Sequence, residues 1–173
     1  IDSDYSTDDD GFLQGIASGF NNTEGLVQST AGDYYVAEER RIYKVTAGGT
    51  KTILAGNGDW GNYYAEPQPV SQARFRNIGK MVIDKASARS ASGSADVIYL
   101  YDERVIRKID LGASPSPLVY YITGSTDWSE NFVNGTLAQA KFRSIRDITI
   151  SNDGNTLYVI DENAIRAIDM AND

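Results

Sequence analysis

Three segments of this chain share one sequence pattern, and this repetition restricts the possible folds more than any other feature. Residues 97–110 read VIYLYDERVIRKID, residues 33–45 read DYYVAEERRIYKV, and residues 156–169 read TLYVIDENAIRAID. The three superimpose without a gap on a tyrosine and an isoleucine, which are Tyr35, Tyr99, Tyr158, Ile42, Ile106 and Ile165. Each segment alternates β-branched and aromatic residues on both sides of an acidic break. The pattern predicts three β-hairpins of one design.

Shorter apolar runs flank each hairpin and predict further strands. Leu26 and Val27, residues 81–84 (MVID) and residues 145–150 (IRDITI) precede the three hairpins. Residues 50–56 (TKTILAG) and 118–124 (LVYYITG) follow the first two, and the third hairpin has no such run behind it. We therefore expect about eleven strands, as four, four and three, and no long helix.

Polar stretches separate these runs. The connectors are residues 57–77 and 125–144, and residues 85–95 (KASARSASGSA) form an insertion of small residues without apolar periodicity. Such composition predicts a mobile surface loop between two strands.

The composition excludes several classes of site. The 173 residues include no cysteine and no histidine, which excludes disulfides, zinc sites and histidine-based triads. The net charge of -8 argues against nucleic acid as a partner, because phosphate backbones are repelled. No run approaches the roughly 18 apolar residues of a membrane helix, so no membrane insertion is predicted. The chain begins with Ile1, which is typical of a processed product.

The repeated motifs resemble those of the NHL-repeat β-propeller family. YLYDERVIRKID and YVIDENAIRAID resemble the core of the NHL repeat, ILAG and YITG resemble its closing strand, and ARF and AKF resemble its Ala-x-Phe motif. The resemblance covers nearly everything from Phe20 to Asp169. It implies an all-β propeller with three four-stranded blades at about residues 20–56, 75–124 and 142–173. The last blade is incomplete, and three blades are half of a six-bladed ring.

The predicted domains are therefore an acidic N-terminal segment, residues 1–19, and a three-blade domain, residues 20–173. The acidic run does not fit a calcium-binding EF-hand loop, because placing Gly11 sixth puts Ala17 where the twelfth-position glutamate belongs. A solvated tail is the better interpretation, and the same segment could donate a strand to another chain.

Charged and aromatic residues recur at fixed positions in the repeats. Asp102 with Arg107, and Asp161 with Arg166, lie five positions apart and are expected to form structural ion pairs. The first copy departs from this pattern, with Glu38 and Tyr43 at these positions. The phenylalanines that lead each unit are expected to wedge between adjacent blades; they are Phe20, Phe75 and Phe142.

A second repeat lies inside the connectors, where GNGDW at residues 56–60 matches GSTDW at residues 124–128. Exposed aromatic rings beside Asn and Asp are typical of surfaces that stack on sugars or dock proteins. The candidate binding residues are Trp60, Tyr63, Tyr64, Trp128 and Phe132. The alternative is that each tryptophan folds back and fills the gap between blades.

Two N-glycosylation sequons begin at Asn21 and Asn134. Both lie in connectors expected to be exposed. We predict glycosylation, at Asn134 above all, if the source is a secreted eukaryotic protein.

The function that fits these features best is a non-enzymatic, extracellular binding or structural module. An open three-blade arc leaves apolar faces and a strand edge unpaired, which predicts self-association into a ring or filament, or pairing with the remaining blades of a longer propeller. A protein or glycan ligand is also expected, whereas no catalytic residue, metal ligand or cofactor is predicted. The alternatives are a carbohydrate-binding propeller and a metal-dependent, lactonase-like hydrolase.

Overall fold

The computed structural model describes residues 15–61, 67–85, 89–93, 95–127 and 132–170. Every regular element in these ranges is a β-strand, and none of them contains a helix that is long and apolar enough to cross a membrane. The prediction of an all-β fold is confirmed for these residues. The strands are β1 Thr23–Gln28, β2 Tyr34–Glu38, β3 Arg41–Val45, β4 Lys51–Ala55, β5 Gln68–Pro69, β6 Ile78–Asp84, β7 Val97–Asp102, β8 Val105–Asp110, β9 Leu118–Gly124, β10 Ile145–Ile150, β11 Thr156–Asp161 and β12 Ala164–Asp169.

The strands form three antiparallel sheets. Sheet 1 has the order β1-β2-β3-β4, sheet 2 has β5-β9-β8-β7-β6, and sheet 3 has β10-β11-β12. The structure has twelve strands where about eleven are expected, and the additional one is β5. The connector between sheets 1 and 2 runs extended at Gln68–Pro69 and pairs with β9, which makes sheet 2 five-stranded.

The three repeated hairpins turn in the same way. Two residues separate the paired strand ends, as in Asp102, which pairs with Val105. The first turn residue has a positive φ in each hairpin: 52° at Glu39, 56° at Glu103 and 56° at Glu162. Two-residue hairpins favour such turns because their twist matches that of the strands. The second acid of each repeat is therefore a turn residue outside the sheet.

Two apolar cores lie between the sheets. The first joins sheets 1 and 2 and includes Ile42, Phe75 and Leu100, and the second joins sheets 2 and 3 and includes Tyr99 and Phe142. Phe75 and Phe142 are 0% and 2% exposed. Their predicted role as wedges between units is confirmed.

Phe20, the corresponding residue of the first unit, is only half-buried. Its ring lies edge-on to Tyr43 with the centroids 6.1 Å apart.

An ion pair lies beneath each of the two deeply buried phenylalanines. Arg107 Nη1 lies 3.2 Å from Asp102 Oδ2, and both side chains are fully buried. The Arg107 guanidinium also stacks on Phe75, 4.3 Å from the ring centroid, and donates to the Arg74 carbonyl. The other oxygen of Asp102 accepts from the backbone N–H groups of Arg76 and Asn77. The network ties the hairpin of sheet 2 to the chain that leads into it.

Sheet 3 repeats this network residue for residue. Arg166 Nη1 lies 3.0 Å from Asp161 Oδ2, donates to the Lys141 carbonyl, and stacks on Phe142 at 4.4 Å. Asp161 accepts from the backbone N–H groups of Arg143 and Ser144. The two predicted structural ion pairs are therefore confirmed.

Sheet 1 joins an acid, an aromatic ring and a carbonyl through a cation from a different position. Lys51, the first residue of β4, lies 3.4 Å from Glu38 and donates to the Gly19 carbonyl. Its ammonium also lies 3.9 Å from the centroid of Phe20 and 4.0 Å from that of Tyr43. Sheet 1 has Tyr43 at the position of Arg107 and Arg166, and Lys51 replaces the missing arginine as the cation.

The insertion at residues 85–95 is not wholly a surface loop, which corrects the expectation of a mobile one. Ser90 is buried, and its hydroxyl donates to the Asp110 carboxylate at 2.8 Å. Arg89 donates to the Met170 carbonyl and to Asn155 Oδ1, at 2.9 and 2.6 Å. The small residues allow this close packing, so the described part of the insertion bridges sheets 2 and 3.

The Asp102→Asn variant should be strongly destabilised, because the neutral amide leaves the Arg107 charge buried without a carboxylate. Breaking a buried pair typically costs about 3–5 kcal/mol of unfolding free energy. The matched Glu38→Gln variant of sheet 1 should lose only about 1 kcal/mol, because that pair is partly exposed to solvent. Urea denaturation measures both, and equal losses would show that burial of the pair does not set its importance.

Candidate functional site

The three hairpin turns define one end of the molecule, which we call the turn face. The two connectors between sheets also pass this end. They begin where β4 and β9 finish and lead to Phe75 and Phe142 of the next sheets. Trp60 and Phe132, the two candidate aromatic residues that the structure describes, lie in these connectors.

Trp60 lies on the surface of the turn face and does not fill the core between the sheets. Its side chain is 55% exposed, and its ring covers the Arg76 guanidinium at 4.6 Å from the centroid. The loop before it is held by Asn57, which donates to Asp59 and accepts from the Asp59 backbone N–H, both at 2.9 Å. Arg41 donates to the Asn57 carbonyl. The ring is thus presented to solvent by a braced loop.

Phe132, in the second connector, stacks on the arginine of the buried ion pair, whereas Trp60 stacks on the residue that follows its leading phenylalanine. It is 44% exposed, and its ring centroid lies 4.4 Å from the Arg166 guanidinium carbon. The other three candidates, Tyr63, Tyr64 and Trp128, lie outside the described residues. The structure therefore places two of the five aromatic candidates on exposed surfaces, each stacked on a buried arginine.

A polar pocket of about 350 Å³ lies on the turn face between sheets 1 and 2. Amide and charged side chains line it: Asn22, Glu24, Glu39, Arg40, Arg76 and Asn77. Arg76, which lines this pocket, also stacks on the Trp60 ring, so the pocket and the exposed ring share this residue. We refer to this combination as the turn-face site.

The side chains of the turn-face site are held in place by one another. Asn22 Nδ2 donates to Glu39 Oε1 at 3.0 Å, and Arg40 Nε donates to the Arg76 carbonyl at 3.3 Å. Arg76 also pairs with Glu103 at 3.2 Å. The site combines donors and acceptors with an apolar ring face, and no single charge dominates it. Such a lining is suited to a polar, uncharged ligand rich in hydroxyl groups.

Sequence reasoning identified Trp60 but missed the pocket beside it. The sequence does contain one indication of the pocket, which is a repeated asparagine. Asn22 and Asn77 occupy the same position, two residues after the leading phenylalanine. Asn22 lies against the first hairpin turn, where its side chain donates to Glu39, and both asparagines line the pocket. Without the pairing of sheet 1 against sheet 2, nothing indicated that these residues share one pocket.

Two larger concavities lie at the ends of the sheet series. The front cavity, about 630 Å³, is lined by apolar residues of the first unit such as Phe20, Leu26 and Val36, and it extends past β1 to Met81 of β6 and Asp147 of β10. The edge groove, about 550 Å³, lies between β12 and the connector residues Asn134–Leu137.

The glycosylation sequons and the acidic side chains are the remaining candidate features. Asn21 and Asn134 are exposed, and their glycosylation stays a prediction. Among the residues that the structure describes, no group of three or more Asp and Glu side chains is placed to hold a metal ion.

No protein-family model and no curated protein matches the chain. An auxiliary nutrient binding protein from Bacteroides thetaiotaomicron VPI-5482 aligns with 82% of this chain and 36% of its own, at 16% identity and a TM-score of 0.63. A second auxiliary nutrient binding protein, from Bacteroides ovatus ATCC 8483, aligns with 83% of this chain and 37% of its own, at 19% identity and a TM-score of 0.63. The chain is thus similar in fold to these structures and spans about a third of their length.

Proposed function

We propose that this chain is a non-enzymatic ligand-binding module and that the turn-face site binds a carbohydrate. The observation that carries the proposal is the exposed Trp60 ring, which is joined through Arg76 to a pocket lined by amides and carboxylates. A sugar offers an apolar C–H face and a rim of hydroxyl groups. The ring accepts the first and the pocket accepts the second.

The fold similarity supports this proposal, because both matched structures are nutrient binding proteins. We further propose that the three sheets are successive blades of an NHL-type propeller, with the last blade lacking its fourth strand. Binding of a nutrient also favours an extracellular location. The repeated hairpins, ion pairs and wedge phenylalanines support the propeller assignment.

Replacement of Trp60 by alanine should lower carbohydrate affinity at least tenfold, which corresponds to about 1.4 kcal/mol. The loss has a direct cause, because the apolar face on which the sugar stacks is removed. A panel of soluble oligosaccharides, neutral and acidic and with α and β linkages, would first identify a ligand. Isothermal titration calorimetry would then compare the variants.

Tyr121→Ala is the matched control for this experiment. Tyr121 is 39% exposed and lies on β9, outside the turn-face site. It should bind as the unaltered chain does. An unchanged affinity in Trp60→Ala, equal losses in both variants, or no binding of any oligosaccharide would contradict the carbohydrate proposal.

A second role, self-association, is favoured by the open face of sheet 3. Ile165 is 78% exposed, whereas Ile42 and Ile106, which occupy the same position in sheets 1 and 2, are 0% exposed. Tyr158 and Ile160 on the same face are 40% and 41% exposed. In the other two units this face is covered by the next sheet.

The front cavity offers the complementary surface. Its Leu26 and Val36 occupy the positions at which Met81 and Leu100 of sheet 2 pack against sheet 1. Sheet 3 of one copy could therefore pack on sheet 1 of another and repeat the contacts made within the chain. Two copies would close a six-bladed ring, and contacts that do not close would form a filament.

The Ile160→Asp variant should be monomeric at concentrations at which the unaltered chain associates, because a carboxylate would be buried at the contact. Sedimentation equilibrium over a hundredfold concentration range measures this effect. Tyr121→Asp, an exposed position of the middle sheet, should associate normally. A monomeric unaltered chain throughout the range would exclude self-association.

A further inference from the structure

In three places within the described ranges a glycine directly follows an asparagine or an aspartate: Asn57–Gly58, Asn134–Gly135 and Asp153–Gly154. At such a pair the backbone nitrogen of the glycine can attack the side-chain carbonyl carbon of the preceding residue, because glycine has no Cβ to obstruct the approach. The attack requires a side chain that can turn toward the glycine and an N–H group that is free. The three pairs differ in both respects.

Asn57 has all four of its polar groups engaged. Its Nδ2 donates to Asp59 Oδ2, and its Oδ1 accepts from the Asp59 backbone N–H, both at 2.9 Å. Its own backbone N–H donates to the Ala73 carbonyl, and its carbonyl accepts from Arg41, both at 3.2 Å. Turning the side chain onto the Gly58 nitrogen would break both bonds to Asp59, so the fold opposes the reaction here.

The Asp153–Gly154 pair is also protected. The Asp153 carboxylate accepts from the Ser151 hydroxyl at 2.6 Å and from the backbone N–H and Nδ2 of Asn155, both at 3.0 Å. These bonds lower the pKa of Asp153 to about 2, so the group is ionised at neutral pH and is a poor electrophile. The Gly154 N–H is engaged too, because it donates to the Ser151 carbonyl at 2.9 Å.

The Asn134–Gly135 pair has neither form of protection. Both residues are exposed, and within the part of the chain that the structure describes neither the Asn134 side chain nor the Gly135 N–H makes a hydrogen bond. Val133 pairs with Lys141 just before the pair, and a turn closed by hydrogen bonds to the Thr136 carbonyl follows it. The pair is thus an unbonded link between two bonded segments.

The exposure of this position recurs in the first connector. Pro67 lies eight residues before Phe75, as Asn134 lies eight residues before Phe142. Pro67 is also exposed, beside the five strands of sheet 2. Solvent access at Asn134 is therefore a property of the connector path and does not depend on how many strands sheet 3 contains.

We infer that Asn134 is a site of spontaneous deamidation and that the fold protects Asn57 from the same reaction. The Gly135 nitrogen gives its proton to a solvent base and forms a bond to Asn134 Cγ. The Cγ–Nδ2 bond breaks, and Nδ2 takes a proton from water and leaves as ammonia. Water then opens the resulting succinimide at either carbonyl, which gives aspartate or isoaspartate. The reaction consumes one water, releases one ammonia and needs no oxidant or reductant.

The modification changes both the charge and the backbone of the second connector. Isoaspartate adds a methylene group to the main chain directly after Val133, whose carbonyl accepts from Arg166 Nη2 at 2.6 Å. Deamidation also removes the nitrogen to which a glycan at Asn134 would be attached, so the two modifications exclude each other. The site is separate from the turn-face site and does not depend on carbohydrate binding.

The test uses the folded chain, produced in a host without N-glycosylation and incubated at mildly alkaline pH. Digestion at acidic pH and mass spectrometry then measure deamidation at each asparagine over time. Asn134 should react about tenfold faster than Asn57, or more, because two hydrogen bonds must break before Asn57 can reach an attack geometry. In urea, where the fold is lost, the two asparagines should react at similar rates.

Two variants test the protection directly. Asp59→Ala removes the acceptor of Asn57 Nδ2 and should speed deamidation of Asn57 in the folded chain. Ser125→Ala is the matched control, because it removes the corresponding brace of the second connector, where the Ser125 hydroxyl accepts from the Asp127 N–H at 3.0 Å. It should leave the rate at Asn57 unchanged.

Three results would overturn the inference. The first is a folded chain in which Asn134 stays intact or reacts no faster than Asn57. The second is a ratio of the two rates that is the same in urea, since the sequence and not the fold would then cause the difference. The third is an unchanged rate at Asn57 in Asp59→Ala.

Discussion

The fold depends on one repeated interaction, a cation that joins an acid, an aromatic ring and a backbone carbonyl and that is buried in sheets 2 and 3 and half-buried in sheet 1. In all three units the cation donates to the carbonyl just before the leading phenylalanine, at Gly19, Arg74 and Lys141. The acid it pairs with stands at the end of the second strand of each unit. Strand pairing orders the residues within a sheet. The network fixes the position of each sheet relative to the connector that carries its leading phenylalanine.

A buried charge is costly unless its hydrogen-bonding capacity is satisfied. Here Asp102 and Asp161 each accept from two consecutive backbone N–H groups as well as from an arginine. These N–H groups belong to the residues immediately after the leading phenylalanines. A shift of one residue in the connector would leave both the acid and the N–H groups without hydrogen-bond partners. The main effect of the network is therefore to fix the register of the connector against the hairpin.

The strands and the ion pairs could be predicted from sequence because each depends on local repetition. The alternation around Tyr99 and the five-residue spacing of Asp102 and Arg107 follow from hairpin geometry alone. Lys51 could not be predicted as the third cation, because it comes from a different strand and its partners are distant in sequence. The bridging role of Arg89 and Ser90 was missed for the same reason, since small residues without periodicity also describe a mobile loop.

The candidate site was predictable in part. The repeated GNGDW and GSTDW motifs identified Trp60 as an exposed aromatic candidate, because braced turns with Asn and Asp present the following residue to solvent. The polar pocket depends on residues contributed by two sheets, and only their packing brings Asn22, Arg40 and Asn77 together. The sequence pattern of one β-strand does not indicate which residues of another sheet will pack beside it.

The three units differ in the strand that supplies the cation. In sheet 1 the cation is Lys51 of β4, so Glu38 gains this partner only when the fourth strand is in place. In sheets 2 and 3 the cation is an arginine of the hairpin itself, Arg107 or Arg166. The charges of these two hairpins can therefore pair as soon as the hairpin forms. Those of sheet 1 stay solvated until β4 has joined the sheet, so its ion pair depends on the assembly of the outer strand.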